Sequence, residues 1–191
     1  MVRKFLEHIS FPELAERTGA LHNEEAETLL LTMLGQEYVV SHTGITLCGQ
    51  KAPDTHEAVI LGYLSSPGTA FIESPWRSPG DIAVLPAVDF RRRVAIPLGS
   101  HVTEFISRAN TLLPHFDAAI SPSLIGSDLA ITVRALPKVA LHVEMSQESN
   151  EFPADVWILF SNNADRFLDG ENLQRLAELF KDRLLSLLRI Y

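Results

Sequence analysis

The chain of 191 residues contains a single cysteine, Cys48. One cysteine excludes an intramolecular disulfide and any metal or iron–sulfur site built only from cysteines of one chain. His42 and His56 are the nearest histidines, but their spacing from Cys48 does not match zinc motifs with paired ligands. We expect no metal and no other cofactor, and we expect Cys48 to be structural. A thiolate pair of Cys48 with one of these histidines stays open as an alternative.

The familiar signatures of catalysis and nucleotide binding are missing as well. The chain has no Gly-x4-Gly-Lys-Ser/Thr loop and no Gly-x-Gly-x-x-Gly loop, which excludes nucleotide binding by those two routes. No Gly-x-Ser-x-Gly elbow occurs, and no two histidines form the i, i+4 pair of a helical metalloprotease. The sequence therefore assigns no catalytic residue.

Excess positive charge and long apolar runs are also absent. The net charge is −8, and residues 1–95 and 96–191 each carry 12 acidic and 8 basic side chains. We therefore expect no nucleic-acid partner and no adhesion to anionic membranes. The longest stretch without Asp, Glu, Lys or Arg covers residues 58–72, shorter than the roughly 20 residues that span a bilayer. Glu7 interrupts what would be the apolar core of a signal peptide, so we expect a cytoplasmic protein.

What is present is an ordinary globular composition, with 46% hydrophobic and 21% charged residues. We expect a single α+β domain over residues 1–191, because the strands do not alternate strictly with helices. An antiparallel sheet would combine an N-terminal meander with C-terminal strands, packed against helices that include a long amphipathic C-terminal one. Strand 155–160 is apolar on both faces, which predicts a central, covered position. Predicted helices cover 10–18, 55–64, 101–113 and 170–188, and predicted strands cover 28–34, 37–41, 45–48, 118–120, 129–133, 138–143 and 155–160.

The candidate ligand-binding residues lie in two segments. Residues 67–97 contain five prolines, and a long irregular segment inside a domain is often functional. A second segment holds Glu144, Glu148, Glu151 and Asp155, with no Lys or Arg between residues 139 and 165. Two roles are open for the arginines of the first segment: to hold an anion at the start of the following helix, or to pair with surface acids. The second segment is typical of a solvated loop between strands. The candidate ligand-binding residues are Trp76, Arg77, Arg91, Arg93 and Glu151.

Several short motifs occur in an order that resembles a known family. Residues 151–154 read Glu-Phe-Pro-Ala, and an apolar strand, Phe167-Leu168 and a terminal helix follow. Earlier segments 34–40, 58–64 and 71–80 fit the same pattern, as do Phe90, Arg93 and Pro97-Leu98. Together they resemble an uncharacterised prokaryotic family, domain-of-unknown-function family 3786, from about Leu14 to the C-terminus. The chain departs from the family at residues 148–151, and Ser161 stands where the family has Asp.

The resemblance implies no activity, because the family has none established. Some members lie beside iron–sulfur or corrinoid modules, which suggests an accessory role that reaches this chain only by analogy.

Three hypotheses remain open. The first, which we favour, is a non-enzymatic binding or accessory domain that holds a small anionic ligand or a protein through segment 67–97. The second is an enzyme with a small polar site between segment 67–97 and residues 151–155. The third is a structural homodimer.

Overall fold

The structure is a computed structural model that describes residues 10–68, 70–82, 85 and 87–190. The first nine residues lie outside the described residues, and with them Glu7, on which the expectation about a signal peptide rests; so do four positions of segment 67–97.

Helix α1 spans Phe11–Thr18 and ends at Gly19, whose φ is +78°. Ser10 immediately precedes this helix, and its side chain makes no capping hydrogen bond. None of the described helices combines the length and hydropathy that a membrane span needs.

The N-terminal meander is confirmed and has two strands more than predicted. Its antiparallel order follows the chain from β1 to β5. Two of its turns consist of two residues with positive φ, Leu34-Gly35 and Cys48-Gly49, as a type I′ hairpin turn requires. Each turn therefore fixes the register of its hairpin. The strands are β1 (Leu21–Asn23), β2 (Thr28–Met33), β3 (Gln36–Ser41), β4 (Gly44–Leu47) and β5 (Gln50–Lys51).

The C-terminal strands form a second antiparallel sheet with the order β6-β7-β8-β9. The expectation that residues 155–160 form a central strand is wrong, because β9 lies at the sheet edge and Trp157 is 48% exposed. The covered strand is β8, buried along its length up to Ser146. On one face of β9, Val156, Ile158 and Phe160 are buried, whereas the side chains of the other face are partly or largely exposed. The strands are β6 (Ala118–Ile120), β7 (Leu129–Leu136), β8 (Val139–Ser146) and β9 (Asp155–Phe160).

The helices pack the two sheets into a common core. Helix α2 spans Asp54–Leu64, and its buried Tyr63 donates its hydroxyl to Thr18 O at 2.6 Å. The same hydroxyl oxygen accepts from Lys138 N at 3.0 Å, which ties α1 and α2 to the turn before β8. Later come α5 (Val102–Leu112) and the long α6 (Gly170–Ile190), which confirms the C-terminal amphipathic helix. Asp169 Oδ1 accepts from Asn172 N at 2.8 Å and so caps α6.

The end of segment 67–97 is helical rather than irregular. Residues 87–99 are helical and comprise α3 (Ala87–Phe90), a π-helical turn (Arg91–Ala95) and α4 (Ile96–Gly99). Ile96 N bonds Arg91 O, five residues back. Pro97 lacks the N–H that an α-helix would donate to Arg93 O, which favours a widened turn here. The three arginines therefore lie on a helix, and the expectation that they precede one is wrong.

The turn Leu34-Gly35 joins the two sheets. Leu34 N donates to Ala135 O at 2.9 Å, and a Cβ added at Gly35 would lie 2.2 Å from His115 O. The short 3-10 helix Leu113–Phe116 therefore presses its backbone against this turn. Only glycine satisfies both the positive φ and the close approach.

We predict that Gly35→Ala destabilises the protein by about 3 kcal/mol or more, from left-handed strain plus overpacking. Gly49→Ala is the matched control, since Gly49 has a φ of +76° in the same turn position with nothing within 4 Å of an added Cβ. It should cost only the strain, about 1–2 kcal/mol. Urea unfolding of both variants measures the difference. Equal losses would show that contact with His115 does not constrain the hairpin.

Candidate functional site

The five predicted ligand-binding residues do not converge on one pocket. Trp76 lies over the His142 ring, with centroids 5.1 Å apart. Arg77 binds Asp165, Arg91 binds Asp155, and Arg93 lies 3.7 Å from Glu178. Glu151 is exposed in the loop between β8 and β9. Of the five, only Arg91 lines a cleft beside β9. The arginines do pair with acids, which is the alternative that the sequence left open.

Arg77 fastens the irregular part of segment 67–97 to the edge of the second sheet. Its backbone exchanges two hydrogen bonds of 2.8 Å with Phe160, the last residue of β9. Its guanidinium donates to Asp165 Oδ2 and to Asp81 O, each at 2.6 Å. The carboxylate of Asp81 in turn accepts from Ser78 N and Ser78 Oγ, and these bonds lower the pKa of Asp81. Arg77 is therefore structural, since it holds the turn 78–81 beside β9.

That turn, the helical segment and β9 enclose a cleft of about 240 Å³. Ala87, Arg91 and Ala95 recur every four residues and so face the cleft from one side of the helical segment. Phe90 lies beneath them, packed edge-on against Phe160 with ring centroids 5.7 Å apart. The opposite side comes from Val156, Trp157 and Ile158, and the end from Ser78, Pro79 and Gly80. The lining is therefore mainly apolar, with one cationic side chain.

Arg91 is held at the cleft by Asp155. Its Nη2 donates to Asp155 Oδ1 at 2.9 Å. The other oxygen, Oδ2, accepts from the indole Nε1 of Trp157 at 2.9 Å, and Val156 N also donates to Oδ1 at 2.9 Å. One carboxylate thus fixes both the guanidinium and the indole that line the cleft. The pair joins segment 67–97 to residues 151–155, the two segments that the sequence singled out.

A buried polar cluster lies beneath Trp76 and was missed at the sequence level. His142 and Glu144, both on β8, are each 1% exposed, and His142 Nε2 lies 3.0 Å from Glu144 Oε1. Glu144 also accepts from Ser123 Oγ and Leu124 N at 2.5 Å, and from Ser127 Oγ. We placed Glu144 in a solvated loop, and that is wrong. The available signal was the i, i+2 spacing of two ionisable residues, which puts both on one face of a strand.

Hydrogen bonds decide the charge of this cluster. Burial raises the pKa of Glu144, but the donors from Ser123, Ser127, Leu124 and His142 outweigh it and bring the pKa to about 2. The carboxylate is therefore ionised and only accepts, so His142 Nε2 donates its hydrogen to Glu144. Nδ1 then faces the hydroxyls of Ser121 and Thr132 at 3.4 and 3.5 Å. The cluster anchors the loop 121–128 onto the sheet.

The residues around Cys48 do not come together. His42 stacks on Phe11 with centroids 4.4 Å apart, whereas His56 bonds Tyr38. Cys48 is exposed in its hairpin turn. Within the described ranges, no group of three or more His, Cys, Asp or Glu residues is placed to hold a metal ion.

Fold and cleft define the class: an α+β protein of two antiparallel sheets with an apolar, arginine-bearing cleft at one sheet edge. The chain belongs to the family of domains of unknown function DUF3786, whose sequence pattern matches residues 10–183. The resemblance seen in the sequence is therefore confirmed. No curated protein and no solved structure matches the chain.

We predict that Glu144→Gln destabilises the protein at neutral pH and that the loss shrinks in acid. The folded pKa of about 2 lies below the ordinary 4.5, so the carboxylate stabilises the fold above pH 4.5. That contribution, about 3 kcal/mol, is lost as the pH falls from 4.5 towards 2. Unfolding free energies of the wild type and the variant between pH 7 and 2.5 measure it. Glu148→Gln removes an exposed charge as a control, and a pH-independent gap for Glu144→Gln would contradict the assignment.

Proposed function

We propose that the protein is a binding domain whose cleft beside β9 takes a small amphipathic carboxylate. The observation that carries the proposal is a cleft of about 240 Å³, mainly apolar, with one guanidinium in its lining. Binding sites for small molecules are concave and mostly apolar, with a few polar groups that orient the ligand. This cleft has that composition on a small scale.

The apolar body of the ligand would lie between Phe90, Ala95 and Trp157. Phe90 is 3% exposed and forms the floor, while the indole of Trp157 is half exposed and fixed by its bond to Asp155. A fixed aromatic side chain loses little conformational entropy when a ligand packs on it. The volume suits a body of one phenyl ring or a short alkyl chain, since a cavity of about 150 Å³ accommodates benzene.

The carboxylate of the ligand would bind Arg91. Arg91 Nη2 already donates to Asp155. Because a guanidinium has five N–H donors in a planar fork, the remaining donors of Arg91 can bind the ligand carboxylate without displacing Asp155. Asp155 has its own charge distributed over bonds from Arg91, Trp157 and Val156, which reduces its repulsion of the ligand. The half exposure of Arg91 keeps this contribution modest.

The lining supports binding rather than catalysis. Acid–base catalysis uses a group whose pKa is matched to the pH of the reaction, commonly His, Asp or Glu. The ionisable side chain that lines this cleft is Arg91, and a guanidinium stays protonated at neutral pH, so it cannot act as a general base. A binding or accessory role is therefore our preferred hypothesis for this domain.

We predict that 3-phenylpropionate binds the wild type about three- to tenfold more tightly than 3-phenylpropan-1-ol, its neutral analogue. Arg91→Ala should abolish this preference and leave the affinity for the alcohol nearly unchanged. Isothermal titration calorimetry measures both affinities. In ¹⁵N NMR spectra the indole signal of Trp157 should shift on binding, whereas that of Trp76 should not.

Arg92→Ala is the matched control, because Arg92 is the next residue and pairs with Asp89 at 2.8 Å outside the cleft lining. It should keep the preference for the carboxylate. Equal binding of acid and alcohol by the wild type, or a preference that survives Arg91→Ala, would refute the proposal.

A further inference from the structure

A second cavity, of about 260 Å³, lies between the β2–β3 hairpin, α2 and α6. It shares no lining residue with the cleft at β9. Three apolar side chains line part of it, and the rest of its lining is polar. The polar side chains are Gln36, Tyr38, His56, Asp182, Arg183 and Ser186.

Arg183 brings a half-buried positive charge to this cavity. Its Nη2 donates to the neutral carbonyl of His115 at 2.8 Å, and its guanidinium lies 5.5 Å from the centre of the Phe116 ring. Among the described residues, no carboxylate lies within 4.0 Å of its nitrogens, and its Nε is buried without a hydrogen-bond partner. Burial of the guanidinium lowers the pKa of Arg183. An unneutralised charge that has lost water gains most from an anionic partner.

Tyr38 and His56 together add one neutral donor, the imidazole N–H, beside this charge. The Tyr38 hydroxyl lies 2.7 Å from His56 Nδ1. Burial raises the pKa of Tyr38 to about 12, while burial and the charge of Arg183 lower the pKa of His56. At neutral pH the phenol therefore donates to Nδ1, and the proton of the ring must be on Nε2. The hydrogen-bonded pair of Tyr38 and His56 therefore offers an imidazole N–H to a ligand and brings no negative charge to the cavity.

Asp182 is the carboxylate in the lining, and it is engaged elsewhere. It lies 3.0 Å from Lys181 Nζ and is 64% exposed. Its charge is therefore partly neutralised and largely screened by solvent, whereas that of Arg183 is more buried. The potential inside the cavity is set mainly by Arg183.

We propose that this cavity is a binding site for a small oxyanion, held by Arg183 and by the donor side chains of His56, Ser186 and Gln36. Carboxylate, sulfate and phosphate groups share the chemistry it recognises, namely oxygen acceptors with negative charge. The volume, close to that of the β9 cleft, accommodates a small oxyanion or the charged end of a larger ligand. The proposal does not depend on the function proposed for the β9 cleft.

The test titrates acetate, sulfate and inorganic phosphate separately into the full chain at pH 7, with the ionic strength held constant by chloride. NMR signals of the Arg183 Nε–H and of the His56 ring report binding at the cavity. We expect at least one anion to shift both signals with a Kd of the order of 1 mM, and the three titrations show which oxyanion fits. The absence of any shift in the wild type would overturn the proposal.

Two pairs of variants test the site. Arg183→Gln should weaken anion binding at least about tenfold, whereas Arg189→Gln removes an exposed charge from the same helix and should leave the affinity unchanged.

Because Arg183→Gln also loses the hydrogen bond to His115, exposed Ser186 provides a second variant that keeps the fold. Ser186→Asp places a carboxylate three residues from Arg183 on one helix face and should abolish anion binding, while Ser186→Asn should retain it. Binding that persists in Ser186→Asp would refute the site.

Discussion

The hydrogen bond from Leu34 N to Ala135 O links the turn between β2 and β3 directly to β7 of the second sheet. It requires the turn Leu34-Gly35 to approach the backbone of the 3-10 helix so closely that no side chain fits at Gly35. The same approach brings β2 and β3 against α6, where Met33, Leu34 and Tyr38 face Arg183. Arg183 donates to the carbonyl oxygen of His115, the same atom that a Cβ added at Gly35 would meet. One tight turn thus positions the N-terminal sheet, the C-terminal helix and the oxyanion cavity between them.

The two proposed sites use arginine in physically different ways. Arg91 is half exposed and neutralised by Asp155, so its role in the cleft is to orient a ligand that binds mainly through apolar contact. Arg183 is more buried and donates to a neutral carbonyl, so an anion there gains from a charge that the fold leaves unbalanced. Arg77 illustrates a third role: its bonds to Phe160, Asp165 and Asp81 hold the turn that closes one end of the cleft.

Elements with strong local signals were predictable, and the arrangement of the sites was not. Gly35 indicated its hairpin because a two-residue turn needs positive φ, and the leucine spacing of α6 indicated an amphipathic helix.

Arg91 and Asp155 fell within the two segments that were singled out, but their pairing joins residues 64 positions apart. Glu144 was misplaced because its four donors come from a loop 17 to 21 positions earlier and from its strand neighbour His142. Arg183 gave no signal, since an arginine on a helix is ordinarily solvated.

The sequence by itself determined the α+β class, the N-terminal meander, the long C-terminal helix, the family, and the lack of a cysteine-based metal site. These follow from composition, periodicity and motif order, which act over a few residues at a time. Only the tertiary structure decided which strand is covered, which arginine lines a cleft and which charge remains unbalanced. Those properties depend on burial and on partners distant in the chain, and whether a charge is solvated, paired or isolated is settled when the sheets and helices pack together.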